Sequence, residues 1–125
     1  MVVPSPVMKV LVCDDEREIR LLYRTAFEMA GADVVVATDG DEGIAVAETQ
    51  CPDLIVLDLR MPRRDGLAAL PTLRERCPSA RVLVVSAHYS VDSFSRAREL
   101  GATECYDKLD FLGRIPALMG APSPS

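Results

Sequence analysis

The sequence predicts an α/β fold in which a parallel sheet is covered by helices on both faces. Short apolar runs typical of buried strands alternate five times with stretches of helical periodicity along the 125-residue chain. Each crossover is about twenty residues long, which is sufficient for a right-handed β-α-β connection. Three of the apolar runs end abruptly in a polar residue, as expected where a sheet carries a ligand site at its edge. A chain of this length forms one compact domain and is too short for two ordinary ones.

The first half of the chain contains three predicted strands and two predicted helices. Residues 8–13 and 54–57 are almost continuously apolar, which suits strands buried on both faces, and residues 34–37 form a further apolar run. The segment after the first run predicts an amphipathic helix, because apolar residues recur at three-and-four spacing: Ile19, Leu22, Tyr23, Ala26 and Phe27. Residues 41–49 predict a second helix on the same grounds.

The second half continues the alternation of helices and strands. Residues 66–77 predict a helix with Asp65 as its N-cap, although Pro71 removes one backbone donor and is expected to disturb the first turns. Residues 82–85 predict another buried strand. Residues 105–106 predict a weaker strand, which completes the set of five.

The last two predicted helices differ in regularity. Residues 90–100 predict a helix that Ser90 caps and that Gly101 ends in the left-handed conformation. Residues 111–119 predict a short helix that a glycine and Pro116 interrupt. Five strands with five helices predict a flavodoxin-like (βα)5 doubly wound parallel sheet with strand order 2-1-3-4-5.

Carboxylates follow two of the buried strands. Asp14 and Asp15 come directly after the first strand, and Asp58 ends the third. Ligands of open α/β sheets bind beyond the carboxyl ends of the strands, near the reversal of strand order, so we expect these three side chains at one edge. A solvated turn would also explain paired acids after a strand, but the repetition at Asp58 favours a functional site.

Converging carboxylates repel one another unless a hard cation lies among them. Mg²⁺ is the natural candidate, because it prefers oxygen ligands and leaves a coordination position for a phosphoryl oxygen. With the cation present, Asp58 can act as a nucleophile and form an acyl phosphate. Ser86 ends the fourth predicted strand and Lys108 follows the fifth, so a hydroxyl and an ammonium group can contact the phosphoryl oxygens.

This set of polar positions, with its strand contexts, resembles the receiver domain of response regulators. The resemblance covers residues 8–119 and is carried by the acidic pair Asp14-Asp15, by Asp58 within DLIVLDLRMPRRDG, by Ser86 within VSA, and by Lys108. It implies that Asp58 is the phosphoacceptor and that Lys108 contacts the phosphoryl group. It also implies that Ser86 is the switch hydroxyl, and that Asp14, Asp15 and Asp58 hold Mg²⁺ together with the main-chain carbonyl of Arg60.

The resemblance implies a phospho-aspartate switch. A histidine kinase or histidine phosphotransfer protein donates to Asp58, and a downstream effector protein or a further output domain reads the change. The resemblance further implies a domain that promotes its own phosphorylation and dephosphorylation and is otherwise not an enzyme. Arg60 and His88 occupy rim positions that modulate dephosphorylation in this family, which predicts an altered phosphoryl lifetime.

Two positions depart from the family pattern and leave a second reading open. Leu109 stands where a proline usually follows the lysine, and Cys105 stands where an aromatic switch residue is usual, with Tyr106 expected on the opposite face. A pseudo-receiver that binds partners without phosphorylation is therefore the alternative. An aspartyl-phosphate phosphatase or phosphotransferase is disfavoured, because Arg60 replaces the second aspartate that such enzymes use and no glycine-rich phosphate loop is present.

Composition excludes several other classes. The net charge of −5 and the interleaving of basic with acidic residues argue against direct nucleic-acid binding. The apolar runs are too short to cross a bilayer, so we expect a cytoplasmic protein that does not bind membranes. The four cysteines lack paired spacing and are expected to be reduced and mostly buried. Residues 1–7 and 120–125 are expected to be flexible ends, and the domain to be a monomer or weak dimer.

Overall fold

The protein is described by a computed structural model that covers residues 7–61 and 64–120. Strands and helices alternate from β1 to α5 in the order β1 (Lys9–Cys13), α1 (Arg17–Met29), β2 (Asp33–Ala37), α2 (Gly40–Gln50), β3 (Leu54–Asp58), α3 (Gly66–Arg76), β4 (Arg81–Ser86), α4 (Val91–Glu99), β5 (Glu104–Asp107) and α5 (Lys108–Leu118). All ten predicted elements are present, with boundaries shifted by one to three residues. The predicted flexible ends lie outside the described residues, apart from Val7 and Gly120.

The five strands form one parallel sheet in the order β2-β1-β3-β4-β5, as the sequence predicts. The order reverses at β1, so β2 and β3 lie on opposite sides of it. The register places Asp58 of β3 opposite Val85 of β4, and Ser86 opposite Asp107 of β5. The polar ends of three adjacent strands therefore meet at one edge of the sheet.

Two apolar layers cover the faces of the sheet. On one face, side chains of the central strands pack against α2, α3 and α4, including Leu73 and Phe94. On the other face they pack against α1 and α5, where Phe111 contacts both Tyr23 and Phe27. Each fully buried large apolar side chain stabilises the fold by about 1.5–3 kcal/mol, so the two layers hold the strand ends in place.

The predicted helix caps are observed. The Asp65 side chain accepts a hydrogen bond from the Ala68 amide at 2.9 Å and begins α3. Ser90 accepts from the Ser93 amide at 3.0 Å in a reciprocal capping box. Gly101, with φ of 118°, follows α4 in the left-handed conformation. Helix α3 runs continuously through Pro71, because only one backbone donor is lost and the helix buries leucines on either side of it.

The start of α5 is the largest difference from the predicted boundaries. The helix begins at Lys108 and not at residue 111, and no loop separates it from β5. The reason is a cap that the sequence analysis did not assign: the Asp107 side chain accepts a hydrogen bond from the Leu109 amide at 2.8 Å. Lys108 is thus the first residue of a helix.

A glycine fixes the distance between the α3 N-terminus and the end of β3. A Cβ atom at Gly66 would overlap the Asp58 carbonyl oxygen and lie 2.9 Å from the Leu59 Cα. We expect Gly66→Ala to lower the free energy of unfolding by about 2 kcal/mol, because the backbone at Asp58 must shift. Urea denaturation measures this.

The matched control is Gly113→Ala within α5. Position 113 has no atom within 4 Å of an added Cβ, so alanine there should stabilise the helix by about 0.5–1 kcal/mol. Equal effects of the two substitutions would contradict the close approach at Gly66.

Candidate functional site

The ammonium group of Lys108 connects the acidic side chains at the edge of the sheet. Its Nζ atom lies 2.8 Å from Asp14 Oδ2, 3.1 Å from Glu16 Oε1 and 3.2 Å from Asp58 Oδ2. The side chains of Lys108, Asp14 and Asp58 are 8%, 4% and 7% exposed, whereas that of Glu16 is 57% exposed. The site is therefore a buried ion-pair cluster with one solvent-facing member.

Main-chain contacts hold these groups in position. The Tyr23 hydroxyl donates a hydrogen bond to the Lys108 carbonyl at 3.3 Å and connects α1 with the first residue of α5. The Arg20 guanidinium donates to the Asp14 carbonyl at 2.8 Å. The Asp58 carboxylate accepts from the Arg60 amide at 3.2 Å. The cluster is thereby fixed by α1 and by the loop after β3, in addition to the sheet.

Burial raises the pKa of both central carboxyls. It raises the pKa of Asp58 to about 6, with the charge of Asp14 acting in the same direction. It also raises the pKa of Asp14, against the hydrogen bond from Lys108. Burial opposes the charge of Lys108 as well, but the hydrogen bond to Asp14 and the charge of Asp58 hold the pKa of Lys108 above its ordinary value. Two buried carboxyls share one buried ammonium, which leaves negative charge for a cation to offset.

A small cleft opens beside the cluster. Its volume is 170 Å³, and most of the site residues predicted from the sequence line it. The lining residues are Asp15, Glu16, Asp58, Arg60, Ser86, Ala87, His88 and Lys108. Asp58 thus contacts Lys108 and also lines a cleft large enough for a small anion and water. Asp14 is not among the lining residues, but it contacts Lys108 directly.

The hydroxyl of Ser86 is buried at the end of β4 and is bonded within the β4–α4 loop. Ser86 Oγ accepts from the His88 amide at 3.2 Å and donates to the His88 carbonyl at 3.2 Å. His88 lines the same cleft, so it lies at the rim as expected. The hydroxyl therefore has local main-chain partners, and Ser86 also lines the cleft.

The acidic residues after β1 offer oxygen ligands to a hard cation. One carboxylate oxygen from each of Asp14, Asp15 and Glu16 lies within 4.8 Å of the other two. Asp58 and Arg60 line the cleft beside Asp15. Carboxylate and carbonyl oxygens are the donors that Mg²⁺ prefers, so the residues present suit this cation.

Two side chains at the site, those of Glu16 and Tyr23, were not predicted from the sequence to contribute to it. No role was predicted for Glu16, and in the structure it is the third carboxylate on Lys108. Its position directly after the acidic pair was the available signal. Tyr23 was read as a core residue, and nothing in the sequence indicated that its hydroxyl would bond to the Lys108 carbonyl.

The fold and the acidic cleft define a flavodoxin-like α/β domain with a charged site at the carboxyl ends of its strands. The family model described as "Response regulator receiver domain" matches residues 10–111. The chain belongs to this family and is a receiver domain of a response regulator in two-component signalling. No helix among the described residues is long and apolar enough to cross a membrane.

Individual relatives agree with this assignment. The chain is 38% identical over 100 residues to the alkaline phosphatase synthesis transcriptional regulatory protein PhoP of Bacillus subtilis, covering 80% of this chain and 42% of PhoP. It is 29% identical to the sporulation initiation phosphotransferase F of the same organism, covering 80% and 81% of the two chains. The receiver domain of the Francisella response regulator 1452 superposes with a TM-score of 0.78 at 32% identity, covering 90% of this chain and 97% of that one. The chain spans about half the length of several curated relatives that it matches.

Proposed function

We propose that this receiver domain is a Mg²⁺-dependent switch that accepts a phosphoryl group on Asp58. The observation that carries the proposal is the Asp58 carboxylate itself, which contacts Lys108 at 3.2 Å and lines the acidic cleft. A carboxylate oxygen that faces such a cleft can attack a phosphoryl donor once the surrounding negative charge is offset.

Asp14, Asp15 and Asp58, with the main-chain carbonyl of Arg60, would hold the cation. When bound, Mg²⁺ supplies positive charge that reduces repulsion between Asp58 and the incoming phosphoryl oxygens. The Arg60 amide donates to Asp58 Oδ1, which orients the carboxylate and leaves Oδ2 on the side of Lys108. Glu16 adds charge at the solvent-facing side of the cluster.

Lys108 and Ser86 would stabilise the phosphorylated form. Lys108 is already within hydrogen-bonding distance of Asp58 Oδ2. After phosphorylation, a small movement of its ammonium would let it donate to a phosphoryl oxygen instead. Ser86 can exchange its bonds to the His88 main chain for a bond to another phosphoryl oxygen. That exchange would release the β4–α4 loop and couple phosphorylation to the surface around α4.

The proposed donor is a phosphorylated histidine in a histidine kinase or histidine phosphotransfer protein. The proposed receiver of the signal is an effector protein or a further part of a longer chain, since the residues here span only part of relatives such as PhoP, a transcriptional regulatory protein by name. We further propose that the domain acts in the cytoplasm as a monomer or weak dimer. It would not bind nucleic acid or membranes itself, and would catalyse only its own phosphorylation and dephosphorylation.

A pseudo-receiver is the second candidate, and the departures at Cys105 and Leu109 favour it. The Cys105 thiol donates to the Phe94 carbonyl at 3.8 Å, in place of a rotating aromatic ring, and Leu109 is 91% exposed. Cys105 and Tyr106 pack into opposite apolar layers, so Tyr106 is not on the face where the aromatic is usual. In this alternative the same surface binds partners without phosphorylation.

The test is phosphorylation by acetyl phosphate, followed by intact mass over time. With Mg²⁺ we expect a gain of one phosphoryl group that EDTA prevents and that Asp58→Asn abolishes. Asp53→Asn is the matched control, because Asp53 lies at the opposite end of β3 and should leave phosphorylation unchanged. If neither acetyl phosphate nor a phosphohistidine donor modifies the protein, the pseudo-receiver replaces the switch.

A further inference from the structure

Two cysteines lie close together at the amino ends of the strands, at the edge of the sheet opposite Asp58. Cys51 ends α2 and precedes β3, and Cys77 ends α3 and precedes β4. Both line one cleft of 230 Å³, together with Pro52 and Arg76. This cleft shares no residue with the acidic cleft at the carboxyl ends of the strands.

The two cysteines contact the same main-chain carbonyl. The Cys51 amide donates to the Ala47 carbonyl at 3.1 Å, and the Cys77 thiol donates to the same carbonyl at 3.7 Å. The distance between the Cys77 sulfur and the Cys51 amide nitrogen is therefore no greater than the sum of these two distances. The two cysteines therefore lie on either side of one main-chain carbonyl and line the same cleft.

The backbone at Cys51 is unusual. Its φ of 47° and ψ of 63° make it the one non-glycine residue with positive φ in the part of the chain that the structure describes. A side chain in this left-handed region is strained, and glycine or asparagine is the ordinary choice at the end of a helix. Packing does not require a cysteine here, because the residue is exposed.

The two thiols differ in accessibility. Cys51 is exposed, whereas Cys77 is 7% exposed. Burial raises the pKa of the Cys77 thiol, and a charge on Cys51 would raise it further. An exposed thiol beside a shielded one is the arrangement in which the first reacts with a reagent from solution and the second then displaces it.

We propose that Cys51 and Cys77 are a thiol pair that small disulfides such as glutathione disulfide convert to an intramolecular disulfide. The Cys51 thiolate attacks one sulfur of glutathione disulfide, forming a mixed disulfide and releasing one glutathione thiolate. The Cys77 thiolate then attacks the Cys51 sulfur, forming the protein disulfide and releasing the second glutathione. The two protein thiols are oxidised and the reagent is reduced to two glutathione thiols. The two protons lost from Cys51 and Cys77 are taken up, through water, by the two glutathione thiolates that leave.

The product would join the C-terminal ends of α2 and α3. The other two cysteines do not meet the same conditions: Cys13 is 1% exposed beneath α2, and the Cys105 thiol contacts the Phe94 carbonyl in the α4 region. The modification is independent of the proposed phosphorylation, because neither sulfur contacts the acidic cluster.

The test uses the full chain at pH 8 with glutathione disulfide, followed by alkylation, intact mass and non-reducing peptide mapping. For the unsubstituted protein we expect loss of two hydrogen atoms and a peptide that joins Cys51 to Cys77. Cys77→Ala should instead accumulate one glutathione on Cys51, and Cys51→Ala should stay unmodified over the same time. Cys105→Ala is the control and should behave like the unsubstituted protein.

Three outcomes would overturn the proposal. One is a stable glutathione adduct on Cys51 of the unsubstituted protein, which would mean that Cys77 does not displace it. Another is equal modification of Cys77 when Cys51 is replaced. The third is a disulfide that joins two chains, which non-reducing electrophoresis detects. The peptide map of the unsubstituted protein decides the main point even if a variant does not fold.

Discussion

Asp58→Asn is expected to raise the free energy of unfolding of the cation-free protein by about 3 kcal/mol at pH 7. Burial and the neighbouring Asp14 raise the pKa of Asp58 from 3.8 to about 6, so the folded protein carries this charge at a cost that the unfolded chain does not. Asparagine keeps the shape and an oxygen for Lys108 and removes the charge. The site would thus trade stability for reactivity.

The pH dependence of this gain has a definite sign. Between pH 4 and 6 the folded protein binds a proton at Asp58 that the unfolded chain has released, so its stability falls as the pH rises. The asparagine variant lacks that titration. The difference between the two proteins should therefore be near zero below pH 4, grow through pH 5 and 6, and reach its full value at pH 7.

Urea denaturation in EDTA at several pH values measures the effect, with Asp53→Asn as the control. Asp53 is exposed, so we expect Asp53→Asn to change the free energy of unfolding little throughout the series. Repeating the series with Mg²⁺ adds a second readout: the cation should stabilise the unsubstituted protein more than the Asp58→Asn variant. A gain that does not vary with pH would show that the Asp58 charge is not its source.

Lys108→Met should have the opposite effect and lower the free energy of unfolding by about 3 kcal/mol at pH 7. The substitution removes the ammonium that contacts Asp14, Asp58 and Glu16, and it leaves two buried carboxyls without a cation. Methionine retains much of the apolar stem, so the loss reports mainly the charge. The deficit should shrink below pH 5, because the carboxyls then become neutral.

The chain offers a matched control, since its only other lysine is Lys9. Lys9 Nζ contacts Gln50 at the exposed opposite edge, and Lys9→Met should change stability by less than about 0.5 kcal/mol. The double variant Asp58→Asn with Lys108→Met completes a cycle. We expect it to recover part of the loss, and strict additivity of the two changes would argue against direct coupling.

Most of the fold could be predicted because local and long-range preferences agree. The runs ending at Cys13 and Leu57 are apolar on both faces. In the structure they are neighbouring interior strands that are buried throughout, apart from the half-buried Lys9 at the start of β1. The caps at Asp65 and Ser90 were readable because each is a short polar residue directly before a helical pattern. The parallel direction of the strands could be predicted because each crossover is long enough for a right-handed β-α-β connection.

The remainder depended on contacts between residues that are distant in sequence or on competing local signals. The role of Asp107 as the cap of α5 was not predicted, because it depends on where β5 ends. The four cysteines were expected to be mostly buried, and Cys51 is the exposed one, because the helix ends there in the left-handed conformation and the chain turns into Pro52. The contact between Glu16 and Lys108 joins residues 92 positions apart, beyond any local pattern.

Because β5 joins α5 directly, Lys108 connects the acidic site to the backbone of a helix. Its ammonium contacts Asp58 and its peptide carbonyl accepts from Tyr23, while its backbone is already part of the helix. No hinge residue separates the charge from the helix axis. Once the Lys108 side chain is fully extended, a pull on its ammonium toward the cleft would therefore act directly on the first turn of α5.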